Sequence, residues 1–157
     1  MSLLLVLISI AVGQQSAGHT FPLIDAHGQS LESASLFGSG SRVIVYVVPG
    51  NEPGTRLIDA LGAWSERDPV QWRERVHVVV AASPAAAREW LGERWSEPGA
   101  LWFADPTGDG WRALGLQGTL GVVGIRDGRS EWKIDGVIAD PSVVEPAIDA
   151  WIKAGGR

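Results

Sequence analysis

The 157 residues include no cysteine. That one absence removes disulfides, zinc–thiolate sites, iron–sulfur clusters, thiol nucleophiles and thiol redox chemistry. Sulfur is confined to Met1. Histidine is scarce, and His19, His27 and His77 lie far apart with no pair at an i, i+3 or i, i+4 spacing, so no metal centre is expected. Basic residues are thinly spread: 13 Lys and Arg stand against 18 Asp and Glu, for a net charge of −5 and no Lys/Arg cluster. Nucleic acid is therefore not an expected partner. Gly-x-Ser-x-Gly and Gly-x-x-x-x-Gly-Lys are both missing, which leaves serine-hydrolase and P-loop chemistry without their motifs. No cofactor is implied.

What is present fits one globular domain. Apolar residues make up 45% and charged residues 20%, and a chain of this length buries a core without metal or disulfide staples. The one long apolar run, LLLVLISIAV over residues 3–12, is half the length a membrane-spanning helix needs, about 20 residues. It matches the hydrophobic region of a signal peptide, and Ala11-Val12-Gly13 supplies the small-x-small pattern that precedes cleavage. The first basic residue is Arg42, so only the α-amino group supplies positive charge ahead of the run. The expectation is a leader or short membrane-associating segment over residues 1–18, a domain over 19–157 and an extracytoplasmic location. A buried first strand or helix, or the tail of a longer anchor, are the other readings of the same run.

Residues 42–48 (RVIVYVV) and 76–82 (VHVVVAA) are continuous apolar runs of the kind that form strands buried on both faces. Between them, Leu57, Ile58, Leu61 and Trp64 recur at helical spacing over residues 55–66, and residues 70–75 add a further turn. Ser83-Pro84 opens a helix over 84–95, with a capping serine and a proline in the first turn. A short strand at 101–104 follows the Pro98-Gly99 break. A hairpin joins 122–126 to 129–134 through Asp127-Gly128, and a last helix covers 141–154. This order implies an α/β fold, a mixed central sheet with helices on both faces.

The opening Gly18-His19-Thr20-Phe21-Pro22-Leu23-Ile24-Asp25-Ala26-His27-Gly28, the Asp105-Pro106-Thr107-Gly108 loop, the Gly115-Leu116-Gln117-Gly118-Thr119 segment and the hairpin come in a telling order. Together they resemble the redoxin family of the thioredoxin-like fold: the peroxiredoxins of the alkyl hydroperoxide reductase C type and the membrane-tethered thiol–disulfide oxidoreductases. The resemblance covers about residues 18–152 and implies a three-layer sandwich.

The positions that carry that family's chemistry are altered here. The resemblance places Asn51 and Gly54 where two cysteines open a helix, and Leu120 where a cis-proline follows Gly-Thr. A cis bond before a non-proline residue costs about 2.5–4 kcal/mol, so a trans bond is expected at Leu120. Asn51 reads as an N-cap and Glu52 as a negative charge at the positive end of the helix dipole. Two readings stand: a retained helix start with no further role, or a partner-binding groove formed by Asn51, Glu52, Thr119 and Leu120.

Other features divide similarly. Asp105-Pro-Thr-Gly-Asp109-Gly110 has the first half of a calcium loop, but Leu116 stands where the bidentate Glu belongs, so a turn before a short helix is expected. Gly121 and Gly124 strip side chains from a central strand, to make room for a bulky neighbour such as a tryptophan or for a partner's backbone. Of eight tryptophans, Trp64, Trp95 and Trp151 fall on apolar helical stripes. Trp72, Trp111 and Trp132 sit in polar surroundings and are candidates for an exposed contact surface. The expected function is a redox-inactive thioredoxin-fold protein acting through protein contacts. Family-level redox activity, a different enzyme on the same scaffold, and a subunit of a larger membrane complex are the alternatives.

Overall fold

The computed structural model describes residues 20–95, 102–136, 138 and 140–155. The expected leader over 1–18, the Pro98-Gly99 break and the Trp95 side chain lie outside the described residues. Seven strands form one sheet: β1 (Pro22–Asp25), β2 (Ser30–Glu32), β3 (Ser41–Val47), β4 (Val76–Val80), β5 (Trp102–Ala104), β6 (Leu120–Arg126) and β7 (Arg129–Asp135). Their order is β2-β1-β5-β4-β3-β6-β7. Strand β3 pairs parallel with β4 and antiparallel with β6, and β4 pairs parallel with β5. The expected mixed sheet with helices on both faces is what forms.

The apolar runs explain the order. With both faces covered, β3 and β4 can occupy the centre only if every residue is suited to burial, and Val43 to Val47 and Val76 to Val80 are all buried. Alternate residues divide between two cores. Val43, Val45, Val47, Val76, Val78 and Val80 meet α2 (Glu52–Ser65), α3 (Pro69–Arg75), α4 (Pro84–Leu91) and α6 (Glu145–Ala154) on one face. Ile44, Tyr46 and Val79 face α1 (Ser33–Phe37) and α5 (Asp109–Ala113) on the other.

Two helices differ from the expected lengths. The run at 84–95 splits after Leu91 into α4 and a 3-10 turn, Gly92–Trp95, because Gly92 takes a positive φ of 46°. The run at 141–154 starts as a 3-10 turn, Pro141–Val143, and becomes α-helical only from Glu145. Pro146 has no N–H to donate, so it fits only in the first turn of a helix.

Trp72 corrects the sequence expectation. It is 5% exposed and belongs to the core, its ring 6.1 Å from that of Trp64. Helix α3 docks under α2, so the polar neighbours Gln71 and Arg73 sit outside while Trp72 turns inward. Trp132 and Trp111 are half-buried rather than exposed.

The glycine question resolves toward packing. A Cβ on Gly124 would lie 2.0 Å from Trp132 Nε1, and one on Gly121 would lie 2.5 Å from a Leu116 methyl. Gly124 is the cross-strand partner of Trp132, whose indole occupies the vacated space and meets Trp151 edge-on at 5.9 Å. Gly124→Ala is expected to cost about 1–3 kcal/mol, the range for forcing extra volume into a packed interior. Adding Trp132→Val should recover part of that loss, and urea unfolding of the two variants measures both.

Candidate functional site

Strand β3 ends at Val47, and Gly50, at φ 87°, turns the chain into α2. Asn51 is the N-cap, in extended backbone with φ −109° and ψ 144°. Its Oδ1 accepts from the Gly54 amide at 2.7 Å, and its Nδ2 donates to the Val48 carbonyl. Its own carbonyl accepts from the Thr55 amide and hydroxyl, each at 3.2 Å. The side chain is thus committed on both of its polar atoms to holding the helix start. Glu52 is exposed in the first turn and pairs with Arg56 one turn on.

The Thr119 turn lies across from this helix start, as the sequence implied. The Val48 amide donates to the Thr119 carbonyl at 2.9 Å, so one residue links the Asn51 side chain to the facing turn. No cis peptide bond occurs among the described residues, so the bond at Leu120 is trans as expected. Thr119 is exposed. Leu120 is not: its side chain is 1% exposed and sits opposite Val47 in the sheet. As a contact residue Leu120 is therefore corrected. It begins β6 and points into the core, and of the pair Thr119 and Leu120 it is Thr119 that is exposed.

Sequence reasoning missed what holds the turn. Trp111 donates its indole N–H to the Gly118 carbonyl at 2.9 Å, and the Asp135 carboxylate accepts from the Gln117 and Gly118 amides at 2.7 and 3.0 Å. Trp111 is a brace behind the turn. Trp132 lies elsewhere, over Gly124, and so does not join the Asn51–Thr119 locus.

A second polar centre sits on the other face of the sheet. Tyr46 donates to Asp105 Oδ2 at 2.7 Å, and both side chains are buried. Asp105 also accepts from the Gly110 amide at 2.7 Å, the Asp109 amide at 3.2 Å and the Thr107 hydroxyl at 3.3 Å. Burial, then the bond to Asp105, pushes the Tyr46 phenol well above its ordinary range, so it stays a donor. This centre is satisfied on every side and ties β3, β5 and α5 together. The expected turn before a short helix is what the Asp105 loop forms, with Gly108 at φ 69° preceding α5. Among the described residues no group of three or more His, Asp or Glu could hold a metal ion.

No protein-family model and no curated protein sequence matches the chain. Solved structures do. A Chlorobium tepidum protein described as thiol:disulfide interchange protein DsbE superposes with TM-score 0.68 at 18% identity, over 90% of this chain and 99% of that one. The exposed lipoprotein thioredoxin Etrx1 of Streptococcus pneumoniae gives TM-score 0.56 at 13% identity, over 84% and 99%. A secreted Mycobacterium tuberculosis disulfide oxidoreductase, homologous to E. coli DsbE, gives 0.63 at 17%, over 83% and 95%. At these identities the likeness establishes the fold, which is thioredoxin-like. This chain carries that fold without a single thiol.

Proposed function

We propose that this chain is a thioredoxin-fold module that acts by binding a protein partner rather than by thiol chemistry, and that it does so outside the cytoplasm. The observation that carries the reading is the state of Asn51. A thiolate nucleophile needs sulfur at a helix N-terminus, and here an amide stands at the head of α2 with both polar atoms spent on the chain itself. The framework around it is kept: the helix start, the Val48–Thr119 link and the braced 117–119 turn. Around the helix start that Asn51 holds, Glu52, paired with Arg56, and the exposed Thr119 then offer a contact face of one ion pair and one hydroxyl. The apolar run at 3–12 and the secreted and exposed proteins that share the fold support the location.

The purified chain is expected to give no turnover in insulin-reduction and peroxide-consumption assays, and turnover in either overturns the reading. A photo-reactive residue at Thr119 should capture one discrete protein in the native cells. The same residue at Glu66, beyond the far end of α2, should capture none. Equal capture from both positions, or none from Thr119, removes the Asn51–Thr119 face as the contact.

A further inference from the structure

The dipeptide Asp-Gly occurs three times, at Asp109-Gly110, Asp127-Gly128 and Asp135-Gly136. This pair is prone to spontaneous rearrangement, because glycine has no Cβ to shield its amide nitrogen from the aspartyl side chain. The nitrogen gives up its proton and attacks Cγ. The Cγ–O bond breaks, and the carboxyl OH leaves with that proton as water, closing a five-membered succinimide. Water then adds back. Addition at Cγ restores aspartate, whereas addition at the main-chain carbonyl breaks the original peptide bond and leaves isoaspartate, joined to glycine through its side chain. One water is released and one consumed, so the step needs no oxidant or other reactant.

From the unequal way the fold holds these three pairs, we infer that Asp127 is the site of isoaspartate modification in this chain, reached when residues 37–40 part from the hairpin turn. Three hydrogen bonds engage the Asp127-Gly128 pair, and all three come from that stretch. The Gly128 amide donates to the Phe37 carbonyl at 2.9 Å, the Asp127 amide donates to the Gly40 carbonyl at 3.0 Å, and Asp127 Oδ1 accepts from the Gly40 amide at 2.8 Å. While they hold, the attacking nitrogen and the carboxyl group are both turned to other partners. One local opening frees both. The stretch is suited to opening: Gly38, Ser39 and Gly40 are exposed, and α1 before them has five residues and no side-chain cap. Asp127 is itself exposed, and among the described residues it is the one residue other than glycine with a positive φ, 48°.

The other two pairs are held on both carboxylate oxygens. Asp109 accepts from the Thr107 hydroxyl at 2.7 Å and pairs with Arg112, and the amide of the buried Gly110 is bonded to Asp105 at 2.7 Å. Thr107 and Arg112 also hold the Asp109 carboxyl below its ordinary range, which disfavours the protonated acid that loses water. Asp135 accepts from the Gln117 and Gly118 amides at 2.7 and 3.0 Å. Its Gly136 amide donates to the Leu120 carbonyl at 3.3 Å, and Gly136 packs so closely on Gly118 that a Cβ there would lie 2.8 Å from its Cα. Freeing Asp135 therefore dismantles the 117–119 turn. At Asp127 the product is disruptive, because isoaspartate adds a carbon to the main chain of a two-residue turn whose geometry matches the strand twist.

The test is prolonged warm incubation of the full chain at neutral pH, followed by digestion and mass spectrometry with electron-transfer fragmentation, which distinguishes isoaspartate from aspartate at each site. In the folded chain Asp127 should isomerise about tenfold faster than Asp109 or Asp135, since its carboxylate must give up fewer hydrogen bonds. In concentrated urea the rate at Asp127 should rise and the three sites should converge, because they share one dipeptide. Gly38→Ala gives a second arm. A Cβ at Gly38 would lie 2.4 Å from the Ala34 carbonyl oxygen, so the variant pushes the 37–40 stretch off α1. It should speed isomerisation at Asp127 several-fold and leave Asp109 and Asp135 unchanged, which also shows that the variant is folded. Asp109 or Asp135 leading, equal rates at all three sites in the folded chain, no isoaspartate at Asp127, or a urea rate no higher than the folded one overturns the inference. A Gly38→Ala variant that leaves Asp127 unchanged, or speeds all three sites alike, removes residues 37–40 as the gate and overturns it too.

Discussion

Asn51→Cys combined with Gly54→Cys should give the chain a reducible disulfide and, with dithiothreitol as reductant, insulin-reducing activity that the wild type lacks. The geometry favours the pair over either change alone. Gly54 is buried in the first turn, and a Cβ placed there would meet the Asn51 side chain at 2.9 Å, with no other group among its three nearest atoms. Gly54→Cys by itself therefore collides with the cap. Replacing Asn51 at the same time removes the obstacle and leaves two sulfur-bearing side chains in the contact the present pair makes. A thiol at residue 51 would sit at the positive end of a 14-residue helix, where the dipole favours the thiolate.

The gain has a cost. Removing the Asn51 cap should lower stability by about 1 kcal/mol, because the Gly54 amide loses its acceptor. The activity should also stay below that of a natural thiol–disulfide enzyme, since Leu120 is buried and presents nothing to a substrate backbone. Thiol titration after oxidation reads the first step, and insulin turbidity the second. A folded double variant whose thiols both remain free would show that α2 no longer starts as the fold's redox members require. The binding proposal would lose its main support with it.

The elements legible in the sequence are those whose cause is local. Asn51 caps α2 because Asn-Glu-Pro is a helix start in any context. Asp127 and Gly128, at φ 48° and 76°, make the hairpin turn that Asp-Gly encodes. Runs of valine and isoleucine name the central strands. Gly121 and Gly124 were readable as space for bulk, and the bulk proved to be Leu116 and Trp132. The β1–β2 hairpin was not legible, because strands of four and three residues are too short to show a period; Asp25 builds its turn by accepting from the His27 and Gln29 amides.

Long-range pairs were equally hidden. Tyr46 and Asp105 are 59 residues apart, and the one available signal was a lone tyrosine in a fully buried strand, which needs a partner for its hydroxyl. Trp72 was misplaced because its sequence neighbours are polar, whereas burial is set by the face α3 turns toward β3 and β4. Leu120 followed the same logic in reverse: its place in the turn was readable, but its direction depends on its pairing with Val47. The locus was legible, and the orientation of its side chains was not.

Stability should fall as the pH drops from about 6.5 toward 4, and His77 should account for most of the fall. The imidazole lies on β4 in the middle of the sheet, 4% exposed, between the rings of Phe37 at 5.4 Å and Phe103 at 6.0 Å. Neither of its nitrogens has a hydrogen-bond partner among the described residues. Burial, and then the positive charge of Arg42 on β3, push its pKa down to about 4. The ring contacts are Phe37 from α1 and Phe103 from β5, and the charge that acts on the imidazole among the described residues is that of Arg42. The folded chain thus refuses a proton that the unfolded chain accepts below its ordinary value near 6.5. Where the unfolded state binds more protons, stability rises with pH. The penalty is absent at neutral pH, grows below about 6.5 and saturates below about 4, reaching roughly 3 kcal/mol for a shift of this size. His77→Leu, close in volume and without polar atoms, should flatten that limb. It should also raise stability at pH 7 by about 1–3 kcal/mol, because an unpartnered buried polar group is removed. Urea unfolding of both proteins between pH 7 and 4 makes the comparison. Parallel pH profiles would assign the acid sensitivity to other groups and place the His77 ring in contact with water.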